Sequence, residues 1–191
     1  MRVNTNVPGE DLAAALQSLG VRFLLGGGER SSALTPIILI SGLARSEEAR
    51  LRLSLIPLFL ERPDFAPYTR RAADELLDPP RLTLQCYYTA AMLIQKLHRA
   101  QIVERLGEQA ILPDLFSKDL AISEVGESGA RLKELARRHQ ALSGVTANWL
   151  GTYRHAVETW LKGLNFARNR TALKCSPIYK PYADGFRVNS G

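Results

Sequence analysis

The side chains in this sequence that could carry chemistry are few. They are three histidines, two cysteines and the residues of one glycine-rich turn. His98, His139 and His155 each lie beside an arginine: Arg99, Arg138 and Arg154. A histidine becomes a general base when a carboxylate orients its ring. Glu158, one helical turn beyond His155, is the one carboxylate placed to do so. With a cation beside every ring, solvated or hydrogen-bonded surface histidines are the expectation. Cys86 and Cys175 lie far apart and form no Cys-x-x-Cys pair, so a zinc site is not expected. Cys86 falls in an apolar run and reads as a small buried hydrophobe. No Gly-x-Ser-x-Gly elbow occurs. No catalytic residue, metal or cofactor is predicted.

The turn Gly26-Gly27-Gly28-Glu29-Arg30-Ser31-Ser32 follows a strand-like run, Val21 to Leu25, and precedes a helix-like one. Backbone N–H groups at such a turn can cradle a phosphate, with Arg30 adding charge and Ser31 a hydroxyl. Gly26, Gly27, Gly28, Arg30 and Ser31 are therefore the candidate ligand-binding residues. The turn lacks the Gly-Lys-Ser/Thr ending of a P-loop. No Asp or Glu occurs between Ala33 and Arg45, so metal-assisted phosphoryl chemistry has no ligands there.

The C-terminal stretch has a different character. From Asn165 to Gly191 there are five basic residues, Arg168, Arg170, Lys174, Lys180 and Arg187, against the single acid Asp184. They are interleaved with Tyr179, Tyr182 and Phe186, a composition that can grip a phosphate backbone and stack on bases. These five cations are the candidate nucleic-acid-binding residues. Trp149, Tyr153 and Trp160 recur at helical spacing beside Arg154 and Lys162. They read first as a core stripe and second as a stacking surface.

The elements that must position these residues are helical. Of the 191 residues, 46% are hydrophobic and only 7% aromatic, which favours helices over a β-sandwich. The main landmark is Asp78 to Gly107, where proline and aspartate mark the start and glycine the end. Its Leu84–Ile94 portion is apolar nearly all round, as expected of a helix enclosed by other helices. Shorter helices are expected over 10–19, 46–60 with Pro57 kinking it or splitting it in two, 64–77, 128–142 and 146–164. The Ile37–Ile40 run suits either a helix or a strand. The fold predicted is mainly α, an irregular multi-helix bundle packed around a long central helix over 78–107, with at most a minor β element near 21–25.

Residues 1–164 are expected to form the helical domain and 165–191 a basic arm, any further division falling at 123–129. The first dozen residues show no secretory apolar core, and no run approaches the roughly 20 residues a bilayer requires. A cytoplasmic chain without a membrane role is expected. A net charge of +6 permits anionic partners without requiring them. The leading expectation is a non-enzymatic interaction protein, a subunit or adaptor that binds a protein partner or its own copy, and nucleic acid through the basic C-terminal region. One alternative is a small enzyme or ligand-binding domain with a phosphate-bearing ligand at Gly26–Ser32. Another is an antitoxin-like or scaffold protein with no nucleic-acid role.

Overall fold

A computed structural model describes residues 7–21 and 34–174, with side chains to Leu164. The described chain is a multi-helix bundle: α1 (Gly9–Ser18), α2 (Pro36–Arg45), α3 (Ala49–Leu53), α4 (Leu55–Glu61), a 3-10 turn (Pro63–Phe65), α5 (Ala66–Glu75), α6 (Pro80–Leu97), α7 (Arg99–Leu106), α8 (Ser128–Ser143) and α9 (Trp149–Lys174). No strand occurs among the described residues. Val21 is buried irregular chain, and residues 22–25 of the proposed β element lie outside the described residues.

The isoleucine-rich run is a helix because of how it begins. The Thr35 hydroxyl accepts from the Ile38 N–H, and Pro36 occupies a first-turn position that needs no donor. The stretch over 46–60, expected to be kinked or split at Pro57, is split in two, and the division falls at Ser54. Pro57 offers no N–H to the Leu53 carbonyl, and its ring crowds that oxygen, so the break falls one turn before the proline. Ser54 covers the gap with a 2.6 Å bond from its hydroxyl to the Leu51 carbonyl.

The landmark helix is also divided. Asp78 makes no capping bond, Pro80 opens α6, and the helix ends at Leu97; His98, at φ −109° and ψ 20°, redirects the chain into α7. The apolar surround stops at Ile94, and the polar residues that follow would point a straight helix into water. The bend returns Ile102 to the core at 1% exposure. Gly107 then closes α7 at φ +79°, a left-handed geometry that favours glycine.

α6 is the enclosed axle that its sequence implies. Leu84, Tyr88, Ala90, Ala91, Met92 and Leu93 are fully buried, and α2, α4, α5, α8 and α9 pack around it. Elements on both sides of the 123–129 connection contribute to the same apolar core. The longest described helix is α9, whose 26 residues span about 39 Å. It continues ten residues past Leu164, the end expected from sequence, and so includes the first part of the basic stretch.

Candidate functional site

α8 and α9 form an antiparallel hairpin against α6 and α4. Gly144 closes α8 in a left-handed conformation, φ +67°, and its N–H bonds the Gln140 carbonyl. The chain reverses over five residues before Trp149 opens α9. Leu132, Leu135 and Ala136 of α8, with Tyr153, Ala156, Val157 and Trp160 of α9, face the core.

The inner face holds a buried polar group of residues. The His139 ring stacks on Trp149 with centroids 3.7 Å apart and planes 20° apart. Its Nδ1 lies 2.7 Å from the Tyr153 hydroxyl. Tyr87 of α6 meets both rings edge-on, at 6.0 Å from His139 and 6.1 Å from Tyr153. Burial pushes the His139 pKa down to about 4 and raises those of Tyr153 and Tyr87. Imidazole and phenols alike are held in their neutral forms. Cys86 is fully buried, and burial pushes its thiol up to about 12, so a nucleophilic thiolate is not available at neutral pH. The expectation that all three histidines lie at the surface fails for His139, which is 3% exposed. His155 is exposed, and His98 is half-buried with Nδ1 3.3 Å from the Gln101 side-chain oxygen.

A second polar group ties the irregular chain after α7 to the bundle. Asp114 accepts from the Ser117 N–H at 3.1 Å and hydroxyl at 2.8 Å, and from Arg131 at 2.9 Å. Arg131 is 5% exposed and also donates to the Ser117 hydroxyl oxygen. Arg70 of α5 reaches the same segment through Asp119 and the Leu115 carbonyl, with its guanidinium 4.8 Å above the Phe116 ring. These groups fix a loop, with the Arg131 Nε left without a hydrogen-bond partner. No group of three or more His, Cys, Asp or Glu side chains suited to a metal occurs among the described residues.

Of the residues proposed from sequence, Gly26, Gly27, Gly28, Arg30 and Ser31 lie outside the described residues, as do Lys180 and Arg187. Arg168, Arg170 and Lys174 fall on the helical backbone of α9. Tyr153 and Trp160 are core residues, at 0% and 1% exposure, and the Trp160 indole N–H donates to Glu61 at 2.6 Å. They are not a stacking surface. The His139–Tyr153–Trp149 group is not evident from sequence. Its one legible sign is that His139 shares a helical face with Leu132, Leu135 and Ala136.

No described helix is long and apolar enough to cross a membrane. No protein-family model, curated protein or solved structure matches the chain.

Proposed function

We propose that this chain is a non-enzymatic helical interaction protein, a subunit or adaptor that binds a protein partner and nucleic acid through its basic C-terminal region. The observation that carries this reading is the continuity of α9. Its backbone runs unbroken from the core residues Tyr153 and Trp160 to Lys174, carrying Arg168 and Arg170 on the way. Residues 1–164 hold 20 basic against 18 acidic side chains, nearly balanced, whereas 165–191 hold five against one. A cationic segment built onto a rigid helix fits an anionic partner better than a cleft enzyme's substrate.

The test is replacement of Arg168, Arg170, Lys174, Lys180 and Arg187 by Gln, followed by titration with fluorescent DNA and RNA at several salt concentrations. Each phosphate that these cations cease to neutralise should reduce the slope of log affinity against log salt by about 0.9. Affinity and slope equal to those of the parent protein would remove the reading.

A further inference from the structure

The charge of this protein is divided more sharply than its total suggests. Residues 1–127 hold 14 basic and 16 acidic side chains, a net of −2, while residues 128–191 hold 11 basic and three acidic, a net of +8. The boundary coincides with the first residue of α8. Half of that positive excess lies in 128–164, before the C-terminal region: six basic residues against Glu134 and Glu158.

The two parts also treat their cations differently. In the first, most described cations have an acid: Arg50 pairs with Glu48, Arg62 with Asp64, Arg70 with Asp119, Arg71 with Glu75, Arg81 with Asp78, Arg99 with Glu108 and Lys118 with Glu124. Arg52 and Arg105 bond backbone carbonyls, and Arg45 and Lys96 pair with no acid among the described residues. In the hairpin, Arg131 is buried on Asp114 and Arg138 bonds the Leu120 carbonyl. The remaining four, Lys133 and Arg137 on α8 and Arg154 and Lys162 on α9, are exposed and have no acidic partner among the described residues. Lys133 and Arg137 stand one helical turn apart, and Arg154 and Lys162 two turns apart. The core-facing residues of α8 pack on α6 and those of α9 on α4 and α6, so all four cations face away from the core. Glu134 is turned aside, accepting from the Ser123 N–H at 3.3 Å.

We infer that the outward face of the α8–α9 hairpin, with Lys133, Arg137, Arg154 and Lys162, is a docking surface for the phosphate backbone of duplex nucleic acid. The inference rests on the interaction-protein reading above and extends it from the C-terminal region to the folded body. The hairpin aromatics favour a duplex over a single strand. Tyr153 and Trp160 are in the core and Trp149 is stacked on His139, so this face offers cations without a platform for bases. Contacts of this type position a duplex without reading its sequence.

The experiment compares four full-length proteins by fluorescence anisotropy on a mixed-sequence DNA duplex of about 20 base pairs, longer than the helix it must cover. They are the parent, a hairpin variant (Lys133→Gln, Arg137→Gln, Arg154→Gln, Lys162→Gln), the C-terminal variant described above, and Glu158→Gln. All substitutions in the hairpin are at exposed positions, and circular dichroism checks that each protein folds. The hairpin variant is expected to lose at least about tenfold in affinity and about 3 to 4 in salt slope. Glu158→Gln, which removes an exposed negative charge from the face, is expected to bind severalfold more tightly, a gain that misfolding cannot produce. Parent-like binding by the hairpin variant, with loss confined to the C-terminal variant, would overturn this inference and leave the broader reading standing. Failure of the parent to bind any duplex or single strand would overturn the nucleic-acid reading together with the inference. Binding by the parent to phosphatidylserine vesicles but not to duplex would also overturn the inference, assigning the face to a membrane surface.

Discussion

The imidazole of His139 lies parallel to the indole of Trp149 at 3.7 Å, with its Nδ1 2.7 Å from the hydroxyl of Tyr153. One α8 side chain therefore engages two residues of α9, four positions apart, across the turn that joins the helices. Burial keeps the phenol protonated, and the tautomer of the neutral imidazole decides which of the two groups donates. Burial itself requires an unprotonated ring.

That requirement predicts an acid-sensitive hairpin. His139 titrates near 4 when folded, against an ordinary 6.5, so between those values the unfolded chain binds more protons than the folded one. By linkage, this contribution to stability is complete above about pH 6.5 and declines as pH falls toward 4, by about 3 kcal/mol in total. Urea unfolding midpoints between pH 7.5 and 4.5 should fall for the parent protein and fall less for His139→Gln. Carboxylates titrate in the lower part of this range in both proteins, so the difference between the two curves is the diagnostic quantity. Parallel curves would refute the assignment.

Arg131 and Asp114 make an unequal pair, with side chains 5% and 28% exposed. Burial alone would raise the Asp114 carboxyl; hydrogen bonds from Ser117 and Arg131 outweigh it and hold the group below the usual carboxylate range. Asp114→Ala leaves a buried guanidinium with an Nε that already lacks a partner, and should cost about 3 kcal/mol. Arg131→Met leaves a carboxylate that water can reach, and should cost less than half as much. Denaturant titrations of both variants test the asymmetry, and equal losses would contradict it.

The parts of this fold that sequence reveals are those with a local cause. α6 is legible because Leu84 to Ile94 is apolar on every side, and the ends of α7 and α8 are legible because Gly107 and Gly144 adopt positive φ. The bend at His98 has no local cause, since neither proline nor glycine is near; it serves Ile102, whose burial is a tertiary matter. The full reach of α9 is hidden by the change of composition at Asn165. Composition is not a helix stop, and no proline occurs before Pro177. The burial of His139 is hidden because Arg137-Arg138-His139 reads as a solvated run, although its third member points inward. The charge division at residue 128 is present in the sequence, but it takes meaning only once α8 and α9 are known to form one hairpin.

Gln95 should be the main fastening of the chain that follows α7. It is 2% exposed, donates to the Ala110 carbonyl at 2.9 Å, and accepts from the Leu112 N–H at 2.8 Å. The Tyr88 hydroxyl adds a bond to the Pro113 carbonyl at 2.9 Å. Gln95→Leu keeps the apolar volume and strands one buried donor and one acceptor, a loss of about 2 to 3 kcal/mol. Amide exchange at Leu112 should accelerate more than exchange within α6. An unchanged Leu112 rate would mean that the segment is held by its apolar packing alone, Leu112 and Phe116 being fully buried.

Cys86 provides the sharpest check on the non-catalytic reading. Its side chain is fully enclosed within α6, and burial pushes the thiol up to about 12, against an ordinary 9.0. An alkylating agent at pH 8 should therefore leave Cys86 unmodified in the folded protein, because reaction needs both access and a thiolate. Peptide mapping separates its signal from that of Cys175. Labelling should appear only as the chain opens and should rise with urea along the same curve as loss of helical circular dichroism. Cys86→Ala should be tolerated with a loss of about 1 to 2 kcal/mol, the cost of a small cavity. Cys86→Asp should prevent folding, since a carboxylate there would have no charged partner. Rapid labelling of Cys86 in the native state would mean that the axle of the bundle opens to solvent, and would restore a nucleophilic thiol to consideration.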